Sequence, residues 1–123
     1  MSGRSFLIDT NIALYQLMGN ITVAEILDGA KLYVSFITEL ELLGYKGISA
    51  KEQRAVKMFL DECIIIDINN EVKNQTIEIK QKYQMKLPDS IITATAIYAE
   101  ITLLTADKGF LKISELNLAL YEE

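Results

Sequence analysis

The sequence predicts an α/β protein, a three-layer α/β/α sandwich around a central parallel sheet, with residues 1–123 forming one domain. Three observations lead to this. Short apolar runs alternate along the chain with longer segments of helical periodicity. The apolar runs are continuous rather than interleaved with polar residues, the pattern of strands covered on both faces. A length of 123 residues, 50% hydrophobic and 24% charged, suits one sizeable core and no second one.

Ser5 to Ile8 reads as the first strand, ending at Asp9-Thr10-Asn11; Ile12 to Met18 reads as a helix stopped by Gly19-Asn20. Thr22-Val23-Ala24-Glu25 has the capping-box pattern and is expected to open a second helix that ends near Gly29. Leu32 to Ser35 is the second strand, followed by helix from Thr38 to Tyr45, broken by Gly44 and Gly47. Ser49-Ala50-Lys51-Glu52 is another capping box, heading a helix with Val56, Phe59 and Leu60 on one face. Ile64 to Ile68 is expected as a buried third strand because its apolar residues run on. A charged helix covers Glu71 to Met85, with Val72, Thr76, Ile79 and Tyr83 at helical spacing. Pro88 to Glu100 is helical and apolar on most faces, which places it centrally. Ile101 to Thr105 is a fourth strand and Leu118 to Leu120 a candidate fifth.

Composition narrows the chemistry. The chain has no histidine, which removes Ser-His-Asp and Cys-His catalysis and any His-built zinc site. Its lone cysteine, Cys63, lies in an apolar run and is expected to fill core rather than act as a nucleophile. The formal net charge of −5 gives no global attraction for nucleic acid. No apolar run reaches the roughly 18 residues of a membrane span, and Met1-Ser2-Gly3-Arg4 lacks the hydrophobic stretch of a secretion signal. These features lead to the expectation of a cytoplasmic protein with no membrane partner.

Parallel sheets bind ligands at the carboxyl ends of their strands, and four acids are expected there. Asp9 directly follows the first strand, Glu41 lies in the helix after the second, Asp89 opens the long apolar helix, and Asp107 follows the fourth strand by two residues. Each taken alone has a plain alternative, since Asp and Glu are favoured in first helical turns as caps and dipole partners. Thr38-Glu39-Leu40-Glu41 is itself a capping-box pattern, and Asp107 could cap a turn over Lys108-Gly109-Phe110-Leu111. Asp89 resists that reading because helical spacing puts it on the apolar stripe of Ile92, Thr93 and Ala96, where an unpaired charge is costly. Four convergent carboxylates without a matching basic set repel one another. A hard divalent cation, Mg²⁺ or Mn²⁺, resolves the repulsion and can activate water and stabilise charge on a phosphoryl group.

The motifs also resemble those of a known family. Asp9-Thr10-Asn11 after an apolar strand is similar to the opening motif of PIN-domain nucleases, and Ser35-Phe36-Ile37-Thr38-Glu39-Leu40-Glu41-Leu42-Leu43-Gly44 to the second. Asp89-Ser90-Ile91-Ile92-Thr93-Ala94-Thr95-Ala96 resembles the third motif, and Leu104-Thr105-Ala106-Asp107-Lys108-Gly109-Phe110 the fourth. The likeness runs from residue 5 to about 121, and the size resembles that of VapC-type toxins of toxin–antitoxin pairs. It implies RNA cleavage with Mg²⁺ or Mn²⁺, a homodimer and a small cognate antitoxin. By position it implies that Asp9, Glu41, Asp89 and Asp107 hold the metal, with Thr10, Asn11, Thr38 and Thr105 orienting carboxylates or water. Periodicity does not separate Glu41 from Glu39; the family's spacing selects Glu41.

Candidate phosphate contacts are Lys46, Lys108 and Lys112, while Lys51, Arg54 and Lys57 read as a solvated helix face. Tyr45 is a candidate for stacking on a base, with a packing role as its alternative. Two rival functions remain open at this level. A PIN fold kept only as a protein-interaction module has the same motifs. A phosphoacceptor receiver domain has this length and an acidic pocket, but Asp9 lacks an acidic neighbour and the last strand runs into Tyr121-Glu122-Glu123 without a lysine.

Overall fold

A computed structural model describes residues 3–122, so Met1, Ser2 and Glu123 of the expected domain lie outside the described residues. Five strands, β1 (Ser5–Ile8), β2 (Lys31–Ser35), β3 (Ile64–Ile66), β4 (Thr102–Thr105) and β5 (Leu118–Leu120), form one sheet in the order β3-β2-β1-β4-β5. Every pairing is parallel. The helices between them are α1 (Thr10–Leu17), α2 (Ile21–Leu27), α3 (Phe36–Gly44), α4 (Ala50–Asp61), α5 (Asn70–Lys82) and α6 (Leu87–Ala99), with a 3-10 turn over Lys108–Lys112.

Adjacent strand residues point to opposite faces, and the core divides accordingly. Ile8, Val34 and Leu104 pack with Ile12 and Ala13 of α1, Val23 and Leu27 of α2, and Val56 and Leu60 of α4. Their neighbours Leu7 and Leu103 enter the other cluster, with Ile92 and Ala96 of α6 and Phe110. Helix α5 lies along α6 on that side, burying Val72, Thr76 and Ile79. The α/β/α sandwich expected from the sequence is therefore the fold, and α6 is central, with Ser90 and Ile92–Ala96 all buried. No helix of the described residues is long and apolar enough to cross a membrane.

Several local expectations are corrected. Helix α2 is capped by Asn20, whose side chain accepts the Val23 amide at 2.9 Å, so Thr22 and Glu25 sit inside the helix rather than forming its box. Asn is at least as good a cap as Thr and comes first, directly after Gly19 turns the chain at φ 81°. Helix α3 begins at Phe36, capped by Ser35 at 3.2 Å, not at Thr38. Helix α5 ends at Lys82, short of Met85, because Tyr83 turns extended and reaches out to Glu115. Strand β3 stops at Ile66 and is an edge strand, with Ile64 43% exposed. A continuous apolar run does not distinguish a central strand from one with a single neighbour. The Ser49–Glu52 capping box of α4 is present in both directions, each bond 3.0 Å. Cys63 is only half-buried; burial pushes its thiol up to about 11, so it is no ready nucleophile.

The strand order has a consequence for function. The chain steps outward from β1 through β2 to β3, then returns by α5 and α6 to place β4 on the other side of β1. The connections leaving β1 and β4 thus diverge, and a crevice opens between their carboxyl ends.

Candidate active site

Asp9 sits at that switch point. Its amide continues the β1–β4 ladder by donating to the Leu104 carbonyl at 3.3 Å. Its side chain caps α1, Oδ1 accepting the Ile12 amide at 2.9 Å, and only 4% of the residue is exposed. The other oxygen, Oδ2, accepts from the hydroxyl of Thr105, the buried last residue of β4. That hydroxyl oxygen in turn accepts the Asp107 amide at 3.0 Å. One threonine therefore ties together the carboxylate after β1 and the backbone that presents the carboxylate after β4. Asp107 caps the 3-10 turn, its Oδ1 accepting the Gly109 amide at 2.7 Å.

A second hydroxyl pair holds the α3 side. Thr10 donates to Glu41 Oε1 at 2.6 Å and lies 3.0 Å from the Thr38 hydroxyl. A carboxylate only accepts and Thr10 has one proton, so Thr38 is the donor to Thr10. Thr38 is fully buried within α3, which removes its reading as a helix cap. Glu41 and not Glu39 receives the Thr10 hydroxyl. Asn11 stands exposed on α1 and makes no side-chain hydrogen bond among the described residues, so the expected orienting role has no contact behind it.

Asp89 lies in the first turn of α6, half-buried. Burial pushes its carboxyl up, the charges of Asp107 and Glu41 add to this, and Lys86 opposes. Asp9 is also pushed up, first by burial and then by Asp89 and Asp107, with the Thr105 and Ile12 hydrogen bonds opposing. The four acids thus share one electrostatic neighbourhood, Glu41 reaching it from the second turn of α3. Asp89 and Asp107 border a common cleft of about 240 Å³. Larger depressions lie between α5 and α6 and at the amino ends of β1 and β4, away from these carboxylates.

The donor set consists of hard oxygens with net negative charge, which fits a divalent cation. Among the described residues, however, no group of three or more Asp, Glu, Cys or His side chains, as placed, could hold a metal ion. Asp9, Asp107 and Glu41 each accept a hydrogen bond from the protein.

Of the candidate phosphate contacts only Lys112 lines the cleft; Lys46 is exposed in the turn after α3 and Lys108 opens the 3-10 turn beside Asp107. Lys51, Arg54 and Lys57 are exposed on α4, in keeping with a solvated face. Tyr45 borders an apolar hollow with Leu14, Glu52 and Val56, and the Glu52 carboxylate pushes its phenol up. Lys86 is a cleft residue that the sequence did not single out. The available signal is its spacing, one helical turn before Asp89.

A doubly wound parallel sheet with four acids and buried threonines at its switch point defines a class of acid-centred α/β domain. The sequence profile of the PIN domain matches residues 6–116, and the chain belongs to that family. No curated protein sequence matches it. Among solved structures it is similar to a toxin–antitoxin complex from Klebsiella pneumoniae, at 29% identity and a TM-score of 0.82, over 95% of this chain and 98% of that one. It is also similar in fold to VapBC2 from Rickettsia felis bound to a promoter DNA fragment, at 23% identity and a TM-score of 0.80, over 96% and 99% of the two chains. A third is FitAcB from Neisseria gonorrhoeae, at 24% identity and a TM-score of 0.73, over 92% and 95%.

Proposed function

We propose that this protein is a Mg²⁺- or Mn²⁺-dependent endoribonuclease and the toxin of a toxin–antitoxin pair, acting in the cytoplasm as a homodimer restrained by a small cognate antitoxin. The observation that carries the nuclease reading is the Asp9–Thr105–Asp107 chain of hydrogen bonds at the switch point, with Asp89 and Glu41 electrostatically coupled to it. A site that concentrates carboxylates while pushing two of them toward protonation is organised for a cation, not for its own stability. The toxin and antitoxin assignment is supported by the likeness to a complex of that kind over nearly the whole of both chains.

In this reading Asp9, Asp89, Asp107 and Glu41 hold the metal, Asp9 and Asp89 through the carboxylates most in need of a counter-charge. When bound, the cation supplies Lewis acidity toward a phosphodiester oxygen. Thr105 fixes the direction of the Asp9 carboxylate, and Thr10, itself held by Thr38, does the same for Glu41. Lys112, with Lys46 and Lys108 further out, contacts the RNA backbone. One domain over residues 1–123 carries all of these parts.

A PIN fold serving only as an interaction module is the second reading, favoured by the lack of a ready-made three-carboxylate cluster among the described residues. One experiment separates the two. Purified protein is offered single-stranded and structured RNA with Mg²⁺, with Mn²⁺ and with EDTA, beside an Asp89→Asn variant. Cleavage that needs the cation and is abolished in the variant supports the nuclease. Cleavage that persists in EDTA or in the variant overturns the metal mechanism, and no cleavage together with no Mn²⁺-induced thermal shift leaves the interaction module.

A further inference from the structure

The net charge of −5 means that affinity for a polyanion must come from cations placed locally, not from the field of the whole molecule. The cleft beside the acids contains such cations. Asp89 and Asp107 line it, and so do Lys86 and Lys112, together with Phe110 and Gly109. Phe110 is buried and apolar, so the polar groups of the cleft are its two acids, its two ammonium groups and Gln84.

The segment that carries Lys86 is held in place. Between α5 and α6, the Gln84 carbonyl accepts from Lys112 Nζ, and the Met85 carbonyl accepts from Lys80 Nζ at 2.8 Å. The Lys86 carbonyl accepts from both the amide and the hydroxyl of Ser90, each at 3.0 Å. Just before them, the Tyr83 hydroxyl donates to Glu115 Oε1 at 2.5 Å, and Glu115 also pairs with Lys82 at 2.8 Å. Each carbonyl from Gln84 to Lys86 thus has a partner, and Lys112 and Glu115 tie this stretch to the 3-10 turn and the segment after it. The Lys86 ammonium is different. It is exposed and makes no hydrogen bond or ion pair among the described residues. Lys112 spends one of its three donors on Gln84 and keeps two.

We infer that Lys86 and Lys112 form a subsite for a backbone phosphate of single-stranded RNA, neighbouring the phosphate that is cut, on the α6 side of the carboxylates. This rests on the nuclease reading above and adds to it where the strand leaves the acids. The cross-links hold the backbones of Lys86 in the loop and Lys112 in the 3-10 turn on one cleft, so the ordering needed when a phosphate arrives is confined to side chains. The same positive charges offset the repulsion that the acids would exert on an approaching strand.

The test is binding of a fluorescent single-stranded RNA of about 12 nucleotides, within the range of single-strand site sizes, to the full chain in an Asp9→Asn background with Mg²⁺, by anisotropy from low to moderate salt. Compared are no further change, Lys86→Gln, Lys86→Gln with Lys112→Gln, Lys86→Arg with Lys112→Arg, and a control Lys51→Gln with Lys57→Gln on α4. The Gln pair is expected to lower the slope of log Kd against log salt by about 0.7, the decrement for each phosphate of a single strand that is no longer neutralised. The Arg pair and the α4 control are expected to keep the slope. Lys86→Gln alone leaves the Lys112 cross-link intact and is expected to reduce affinity several-fold at low salt. If the Gln variants keep the parent slope while RNA still binds, the subsite is wrong and the nuclease reading stands. If no variant, parent included, binds RNA at low salt, both fall.

Discussion

The Thr105 hydroxyl donates to Oδ2 of Asp9, joining residues 96 positions apart in sequence across the switch point of the sheet. Because the same oxygen accepts the Asp107 amide, its removal disturbs two carboxylates at once. Thr105→Val keeps the shape and removes the hydroxyl. Partners that orient metal-binding groups are commonly worth about 10- to 100-fold in metal affinity or activity. We expect a fall of about that size in cleavage rate, with RNA affinity little changed and Thr105→Ser restoring most of it. Single-turnover kinetics with a Mg²⁺ titration would check this; an unchanged rate in the valine variant would remove Thr105 from the site.

Asp9 and Asp89 have folded pKa values above their ordinary 3.8, burial being the largest cause in each. Between the ordinary value and the raised one, the folded protein binds more protons than the unfolded chain. Stability from these two groups is therefore fully present below the ordinary value and lost as pH rises through the folded values. In EDTA, urea unfolding is expected to show this contribution falling as pH rises above the ordinary 3.8, a fall that the Asn variants of the two residues lack. Asp9→Asn and Asp89→Asn should each raise the neutral-pH melting temperature in EDTA and reduce the gain from Mn²⁺. A lower melting temperature in both variants would contradict the account.

Glu115 behaves oppositely. Hydrogen bonds from Lys82 and Tyr83 hold its carboxyl down to about 2, so the stability it contributes is present above its ordinary 4.5 and is lost as pH falls toward 2. Glu115→Gln should flatten the acid-unfolding curve between those values and lower the plateau above about pH 5 by a constant amount. Circular dichroism along a pH series would show whether it does.

Gly109 is required by close approach. A Cβ there would stand 3.0 Å from Asp107 Oδ1, so Gly109→Ala must push the carboxylate away by some tenths of an ångström. A misplacement of about 1 Å can cost about 100-fold in rate, and a smaller shift correspondingly less. We expect about a tenfold loss of RNA cleavage with a melting temperature within about 2 °C of the parent, the side chain being free to move where the fold is not. Equal activity would show that Asp107 tolerates the shift.

Glu100 ends α6 in the left-handed region at φ 55°, the position that glycine favours. An L-residue there costs about 1–2 kcal/mol, while glycine loosens the unfolded chain by about 0.4–1 kcal/mol. Glu100→Gly should therefore stabilise by about 0.5–1 kcal/mol, the difference of those two effects. Urea unfolding measures it, and cleavage should be unaffected.

How much of this is legible in advance depends on the distance over which each feature is decided. Helix α4 is fully legible, since Ser49 and Glu52 are three residues apart and their capping box is a local matter. The starts of α2 and α3 are not, because two suitable caps lie within three residues of each other, Asn20 against Thr22 and Ser35 against Thr38. Local chemistry permits either, and packing of the following turn selects one. The exposure of β3 is hidden as well, because an apolar run carries no information about how many neighbours a strand has.

The sequence by itself determined that strands and helices alternate, that the sheet is parallel, and that Asp9, Asp89 and Asp107 stand at strand or helix ends, whereas Glu41 lies in the second turn of α3 because that helix starts at Phe36. These follow from periodicity and caps within a few residues. Only the tertiary structure decided that β4 lies beside β1, which brings Thr105 onto Asp9. It also brought the Thr10 hydroxyl, 31 residues away, onto Glu41 and not Glu39, and it alone set Lys86 and Lys112 on one cleft. Sheet order and side-chain meeting points are settled by the joint packing of the two faces. No window along the chain contains the residues that decide them.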